Sequence, residues 1–312
     1  MRTHIRIGTR SSALALWQAE FVAAELKKLY PDCSIELVHH STKGDRILEK
    51  PLAAIGGKGL FTEELEQAMY KKDIDLAVHS LKDMPTDLPE GLTLGAITKR
   101  ATASDVLVSP KYKTLDNLPQ GAKVGTSSLR RQAQLLHQRP DLDIQMLRGN
   151  VQTRLRKLEE ENFDAIVLAE AGLTRLGLEE YITQVFTVDE MIPAVGQGAL
   201  AIECRSDDQE MLDMLKPLND EATRWCTMGE RSFLRQLEGG CQVPMGVHGT
   251  IHKGQLTIKA LISSLDGKNC YEGEMTGPCQ TAEIIGKNLA KALYEEGGKH
   301  IIEDLIQRGI LK

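Results

Sequence analysis

Near the N-terminus, apolar and polar positions alternate over Ile5-Arg-Ile-Gly, then give way to helical spacing from Ala13 to about Leu29. Between the two patterns stand Thr9-Arg-Ser-Ser12, so the stretch predicts a short strand, a Gly-Thr turn and a serine-capped helix. The same succession returns at Lys123-Val-Gly-Thr-Ser-Ser-Leu-Arg-Arg131. A second matched pair, Asp73-Ile-Asp-Leu-Ala-Val-His-Ser80 and Asn162-Phe-Asp-Ala-Ile-Val-Leu-Ala-Glu170, predicts two buried strands, each entered from a helix. Polar loops are expected after both, Leu81-Lys-Asp-Met-Pro85 and Ala171-Gly-Leu-Thr-Arg175. Strands alternating with helices predict α/β units with a largely parallel sheet, here twice over.

The pattern places a crossover near residues 99–104 and a glycine-bearing return hinge at Pro193-Ala-Val-Gly-Gln-Gly198. After about Leu218 it changes. A helix leads to a glycine-rich loop, Val247–Thr250 and Leu256–Ser263 alternate as an antiparallel hairpin, and a long helical stretch follows from about Thr281. The expected organisation is residues 1–99 plus about 200–217 as a first α/β domain and 105–193 as a similar second one across a cleft. Residues 218–312 form a smaller α+β domain.

With 312 residues the chain can bury two or three cores. No apolar run reaches bilayer length and the N-terminus lacks the apolar segment of a secretory signal, so a cytoplasmic protein without a membrane partner is expected. Cys33, Cys204, Cys226, Cys241, Cys270 and Cys279 include no Cys-x-x-Cys pair; reduced thiols are expected, with no metal site and no disulfide framework. A net charge of -6, 4% aromatic residues and the lack of a long basic stripe speak against a nucleic-acid partner, despite Leu129-Arg-Arg-Gln132. No assembly seam is visible, so a monomer is expected.

The placement of the cations changes this picture. Arg10, Lys43, Arg46, Lys58, Lys82, Arg130, Arg131, Arg148, Arg154 and Arg175 fall at turns and helix starts, several beside capping hydroxyls. Any one alone reads as a solvated surface charge; the same context met twice reads as a local anion site. Asp83 follows a predicted buried strand where a loop opens into the cleft. Its carboxylate can hold an N–H, steady a developing cation or move a proton; an Asx-turn before Pro85 is the plain alternative. Gly56-Gly-Lys-Gly-Leu-Phe61 lacks the spacing of a phosphate-binding loop and predicts a flexible connection carrying Lys58 and Phe61. Cys241 lies in Glu230-Arg-Ser-Phe-Leu-Arg-Gln-Leu-Glu-Gly-Gly-Cys-Gln-Val-Pro-Met-Gly246, past the end of an amphipathic helix. Glycines before it and Pro244 after it favour a thiol held out on a loop, where chemistry can reach it.

The segments Gly8-Thr-Arg-Ser-Ser-Ala-Leu-Ala-Leu-Trp-Gln18, Gly57-Lys-Gly-Leu-Phe61, Val78-His-Ser-Leu-Lys-Asp-Met-Pro85, Gly125-Thr-Ser-Ser-Leu-Arg-Arg131, Leu147-Arg-Gly-Asn-Val151, Thr153-Arg-Leu155 and the Cys241 run come in an order that resembles the porphobilinogen deaminase (hydroxymethylbilane synthase) family. The resemblance implies two similar domains of the type II periplasmic-binding-protein kind around a cleft, plus a smaller α+β C-terminal domain. It implies a transferase of porphyrin and heme biosynthesis that joins four porphobilinogen molecules head to tail into hydroxymethylbilane, with loss of ammonia. It further implies a dipyrromethane cofactor bound covalently through Cys241, and Asp83 as the catalytic aspartate. Arg10, Ser12, Lys82, Thr126, Ser128, Arg130, Arg131, Arg148, Arg154 and Arg175 would bind cofactor and substrate carboxylates, with Lys58 and Phe61 on a mobile loop. A ligand-binding module without catalysis is one alternative, but it needs neither Cys241 on its loop nor a third domain. A cysteine-dependent hydrolase is another; none of the eight histidines lies near Cys241 in a recognised pattern.

Overall fold

The computed structural model describes residues 2–42, 44, 60–237 and 243–310. Lys43, Arg46, Lys58 and Cys241 lie outside the described residues. The chain opens with β1 (His4–Arg10), α1 (Ala13–Leu29), β2 (Ser34–His40), α2 (Glu63–Tyr70), β3 (Leu76–Ser80) and β4 (Leu92–Ile97). It crosses to β5 (Asp105–Val108), β6 (Lys123–Gly125), α3 (Leu129–Gln138), β7 (Asp143–Gln145), α4 (Val151–Glu160), β8 (Ala165–Ala169), α5 (Glu170–Arg175) and β9 (Gln184–Val185). It returns as β10 (Leu200–Arg205) and α6 (Gln209–Leu215). It closes with α7 (Glu221–Gln236), β11 (Met245–His252), β12 (Gln255–Ser263), β13 (Cys270–Pro278), α8 (Ala282–Leu293) and α9 (Lys299–Gln307).

The first two sheets share one plan. Their strand orders are β2-β1-β3-β10-β4 and β7-β6-β8-β5-β9. In each, the first three strands run parallel and the fourth is antiparallel to both neighbours. The duplication read from the sequence is therefore present: β1 and α1 correspond to β6 and α3, and β3 corresponds to β8. In both sheets the antiparallel strand is the one made just after a crossover, β5 after the first and β10 after the second. The two crossovers run side by side, with the Ala101 amide donating to the Gly198 carbonyl at 3.1 Å. Gly198 has φ +89, and a Cβ there would lie 2.4 Å from the Thr102 carbonyl oxygen, so only glycine allows this approach.

Three details differ from expectation. The Ala171–Arg175 loop is part of α5, because Ala171 and Leu173 bury themselves on the second unit while Thr174 faces solvent. The hairpin gains a third strand, β13, whose half-exposed, polar alternation carries a weak apolar signal. The long terminal helix is broken over Tyr294–Gly298 into α8 and α9. These helices and α7 cover the β11-β12-β13 sheet around Phe233, Ile258 and Leu305.

A candidate active-site cleft between two sheets

β3 is buried up to Ser80, with His79 paired to Glu203, and its end tightens into a single turn, Leu81–Asp83, with Leu81 buried. That turn anchors on Leu81 and leaves Lys82 and Asp83 half-buried at the edge of the first sheet. Opposite them stand the starts of α3 and α4. Ser128 caps α3 by accepting from the Arg131 amide at 3.4 Å, and Thr126 Oγ1 accepts from the Ser128 amide at 3.1 Å. Asn150 caps α4 through the Thr153 amide. Ser12 caps α1 by accepting from the Ala15 amide at 3.3 Å. Each serine or threonine hydroxyl accepts in its cap, which leaves its own O–H proton to be donated to a ligand.

The cations lie close enough to disturb one another. Burial, reinforced by Arg131 and Arg130, pulls the Lys82 ammonium down to about 8, while Asp83 and Asp105 resist the shift. Burial, Arg131 and Arg148 pull Arg154 down to about 10, again opposed by Asp83. Arg148 is buried, and desolvation lowers its pKa too. Asp83 on the first unit is thus within electrostatic reach of Arg154 on the second. Lys82, Asp83, Arg130, Arg131, Arg148 and Arg154 share one field.

Arg130 and Arg131 rest on a residue that sequence reading did not single out. Asp105, fully buried, accepts from Arg130 Nη1 at 2.6 Å and from Arg131 Nη2 and Nε at 2.7 and 3.0 Å. The two guanidiniums hold its carboxyl well below the usual range against the opposing effect of burial. Arg130 Nη1 also donates to the Ile192 carbonyl, and Arg131 Nη1 to the Val167 carbonyl. Gln197 Nε2 reaches the same Asp105 at 3.0 Å. The flanking glycines marked Gln197 as part of a turn, but nothing local marks its partners.

Arg10 and Arg175 stand apart from that cluster in their contacts. Arg10 stacks over Phe61 at 4.3 Å. Arg175 donates to the Gly198 carbonyl at 2.7 Å and lies 5.7 Å from the Trp17 ring centroid, bridging α5, the return crossover and α1; burial lowers it to about 10. Helix α7 approaches from the third sheet. Arg231 Nη2 donates to the Pro85 and Thr86 carbonyls at 2.6 and 3.0 Å, and Arg235 pairs with Asp87. The helix that runs towards Cys241 is therefore pinned to the loop just after Asp83. Among the described residues no three His, Cys, Asp or Glu side chains converge as a metal site, and no helix is long and apolar enough to cross a membrane.

Desolvated cations thus face one carboxylate across two helix starts. Comparison with known sequences makes the family specific. Residues 5–213 match the family described as "Porphobilinogen deaminase, dipyromethane cofactor binding domain", and residues 225–295 match "Porphobilinogen deaminase, C-terminal domain". The porphobilinogen deaminase of Syntrophotalea carbinolica is 52% identical over 301 residues, covering 96% of each chain. That of Pelotomaculum thermopropionicum is 52% identical over 303 residues, covering 97% of each. Among solved structures, the methionine binding protein MetQ is 18% identical with a TM-score of 0.46, covering 69% of this chain and 89% of its own. The chain belongs to the porphobilinogen deaminase family.

Proposed function

We propose that this protein carries a dipyrromethane group on Cys241 Sγ and extends it with four porphobilinogen units, which it then releases as linear hydroxymethylbilane. One observation carries the reading. Burial first, and then the nearness of Arg131 to both and of Arg148 to Arg154, holds Lys82 and Arg154 below their ordinary pKa values. Carboxylates would offset both the desolvation and the repulsion, so the residues fit a dipyrromethane and substrate rich in acetate and propionate groups. When bound, the dipyrromethane supplies a nucleophilic pyrrole carbon and a permanent tether.

The chain's residues do the rest. Lys82, Arg148 and Arg154 bind ring carboxylates, with Arg130 and Arg131 oriented by Asp105; Ser12, Thr126 and Ser128 add hydroxyl donors at helix starts. Arg10, stacked over Phe61, and Arg175 supply further cations for the same carboxylates. Asp83 accepts pyrrole N–H bonds and places negative charge beside the cationic pyrrole left when ammonia departs from porphobilinogen. Arg231, holding Pro85 and Thr86, ties α7 to the loop that follows that carboxylate. The reaction takes place in the cytoplasm, in a monomer.

Asp83→Asn tests the central role. It keeps size and polarity but removes the charge, so turnover of porphobilinogen should fall at least about 100-fold. Turnover close to wild type would contradict the assignment.

A further inference from the structure

We propose that Gln197 is a positioning residue for this reaction: its side-chain amide ties Lys82, next to Asp83, to Asp105, which carries Arg130 and Arg131. It thereby sets the two walls of the cleft at the spacing the pyrrole chain requires. The inference rests on the roles given above to Asp83 and Lys82.

Gln197 is 1% exposed and sits in the return crossover between Gly196 and Gly198, whose φ values are +71 and +89. Those two glycines fix the direction of its side chain. Nε2 donates to the Ala103 carbonyl at 2.6 Å and to Asp105 Oδ1 at 3.0 Å. Oε1 accepts from Lys82 Nζ at 3.4 Å. Its backbone carbonyl accepts from Arg100 Nε at 3.0 Å, and Arg100 reaches both oxygens of buried Glu230 on α7 at 2.7 Å. One residue thus touches both sheets of the cleft and, through Arg100, the third unit.

The chemistry calls for an amide. The end facing Asp105 must donate, because that carboxylate only accepts; the end facing Lys82 must accept, because an ammonium only donates. Among unbranched side chains of this length, only glutamine does both without carrying charge. The groups facing Lys82 are Asp83 from its own turn, Arg130 and Arg131 from α3, Asp105 from β5 and Gln197 itself. Gln197 is the neutral acceptor among them, so it steadies the charged form of Lys82.

The test measures kcat, KM and the pH dependence of kcat/KM for porphobilinogen in purified holoenzyme bearing Gln197→Met or Gln197→Glu, alongside thermal unfolding. Methionine keeps the volume and removes both bonds. With it, kcat should fall about tenfold while KM changes much less, and the alkaline limb near pH 8 should move down by about half a unit. Glutamate presents a charged acceptor to Lys82, so its limb should move up. Opposite shifts are the signature of positioning; a purely structural residue would lower the unfolding temperature and leave both limbs in place. Unshifted limbs with kcat within about twofold of wild type overturn the proposal. If Gln197→Met does not fold, the direction of the Gln197→Glu limb decides alone, an unmoved limb being the negative result. Undiminished turnover in Asp83→Asn would instead overturn the reading beneath it, so the two failures are distinct.

Discussion

Burial lowers the Lys82 pKa to about 8, so the carboxylate-binding role proposed for it would depend on pH. Burial and the two arginines of α3 oppose its charge, and Asp83 and Asp105 support it. Below pH 8 the ammonium attracts carboxylates; above it the neutral amine does not. We therefore expect kcat/KM for porphobilinogen to decline as pH rises through about 8, and Lys82→Met to abolish that limb while raising KM about tenfold. A limb unchanged in Lys82→Met would assign it elsewhere. Stability moves the other way. The folded pKa lies below the ordinary 10.5, so between about 8 and 10.5 the unfolded chain binds more protons and this residue favours folding increasingly as pH rises. At this scale Lys82 and Asp83 were legible because a buried strand delivers them to a polar turn. Asp105 and Gln197 were not. Their partners lie 25 or more positions away, as in Asp105 with Arg130 and Gln197 with Lys82, and no local pattern records such pairs.

Among the elements, the paired crossovers hold the two sheets in register. Gly198→Ala would strain a backbone at φ +89 and drive a methyl group into the Thr102 carbonyl, where only main chain can yield. We expect a loss of at least about 2 kcal/mol in urea unfolding. Gly121→Ala, also at positive φ but with nothing within 4 Å, should cost only about 1 kcal/mol. Equal losses would mean that the crossover contact contributes nothing. The strand–turn–helix repeat was readable because its period and capping residues are local. The return to the first sheet was readable from the hinge at residues 193–198, but the antiparallel direction of β5 and β10 was not, since it is set by pairing with strands distant in the chain. Nor was α5: glycine and threonine read as loop formers, and burial of Ala171 and Leu173 overrides them.

Across the whole molecule, an acidic chain with net charge -6 still buries several cations, and most of them are paired with a buried carboxylate. Arg100 is neutralised by Glu230 at the junction of all three units, and Glu230 also accepts from the Gly196 and Gly249 amides at 2.7 and 2.8 Å. That junction and the grip of Arg231 on Pro85 and Thr86 pin α7 to the loop that follows Asp83. In the proposed reaction the Cys241 sulfur carries the primer on which the chain grows. Intact-protein mass measures it most directly. Wild-type protein made in a heme-producing host should carry an adduct equal to two porphobilinogen units less their ammonias, and Cys241→Ala should carry none. A wild-type mass equal to the unmodified chain, or an adduct retained in Cys241→Ala, would contradict the account.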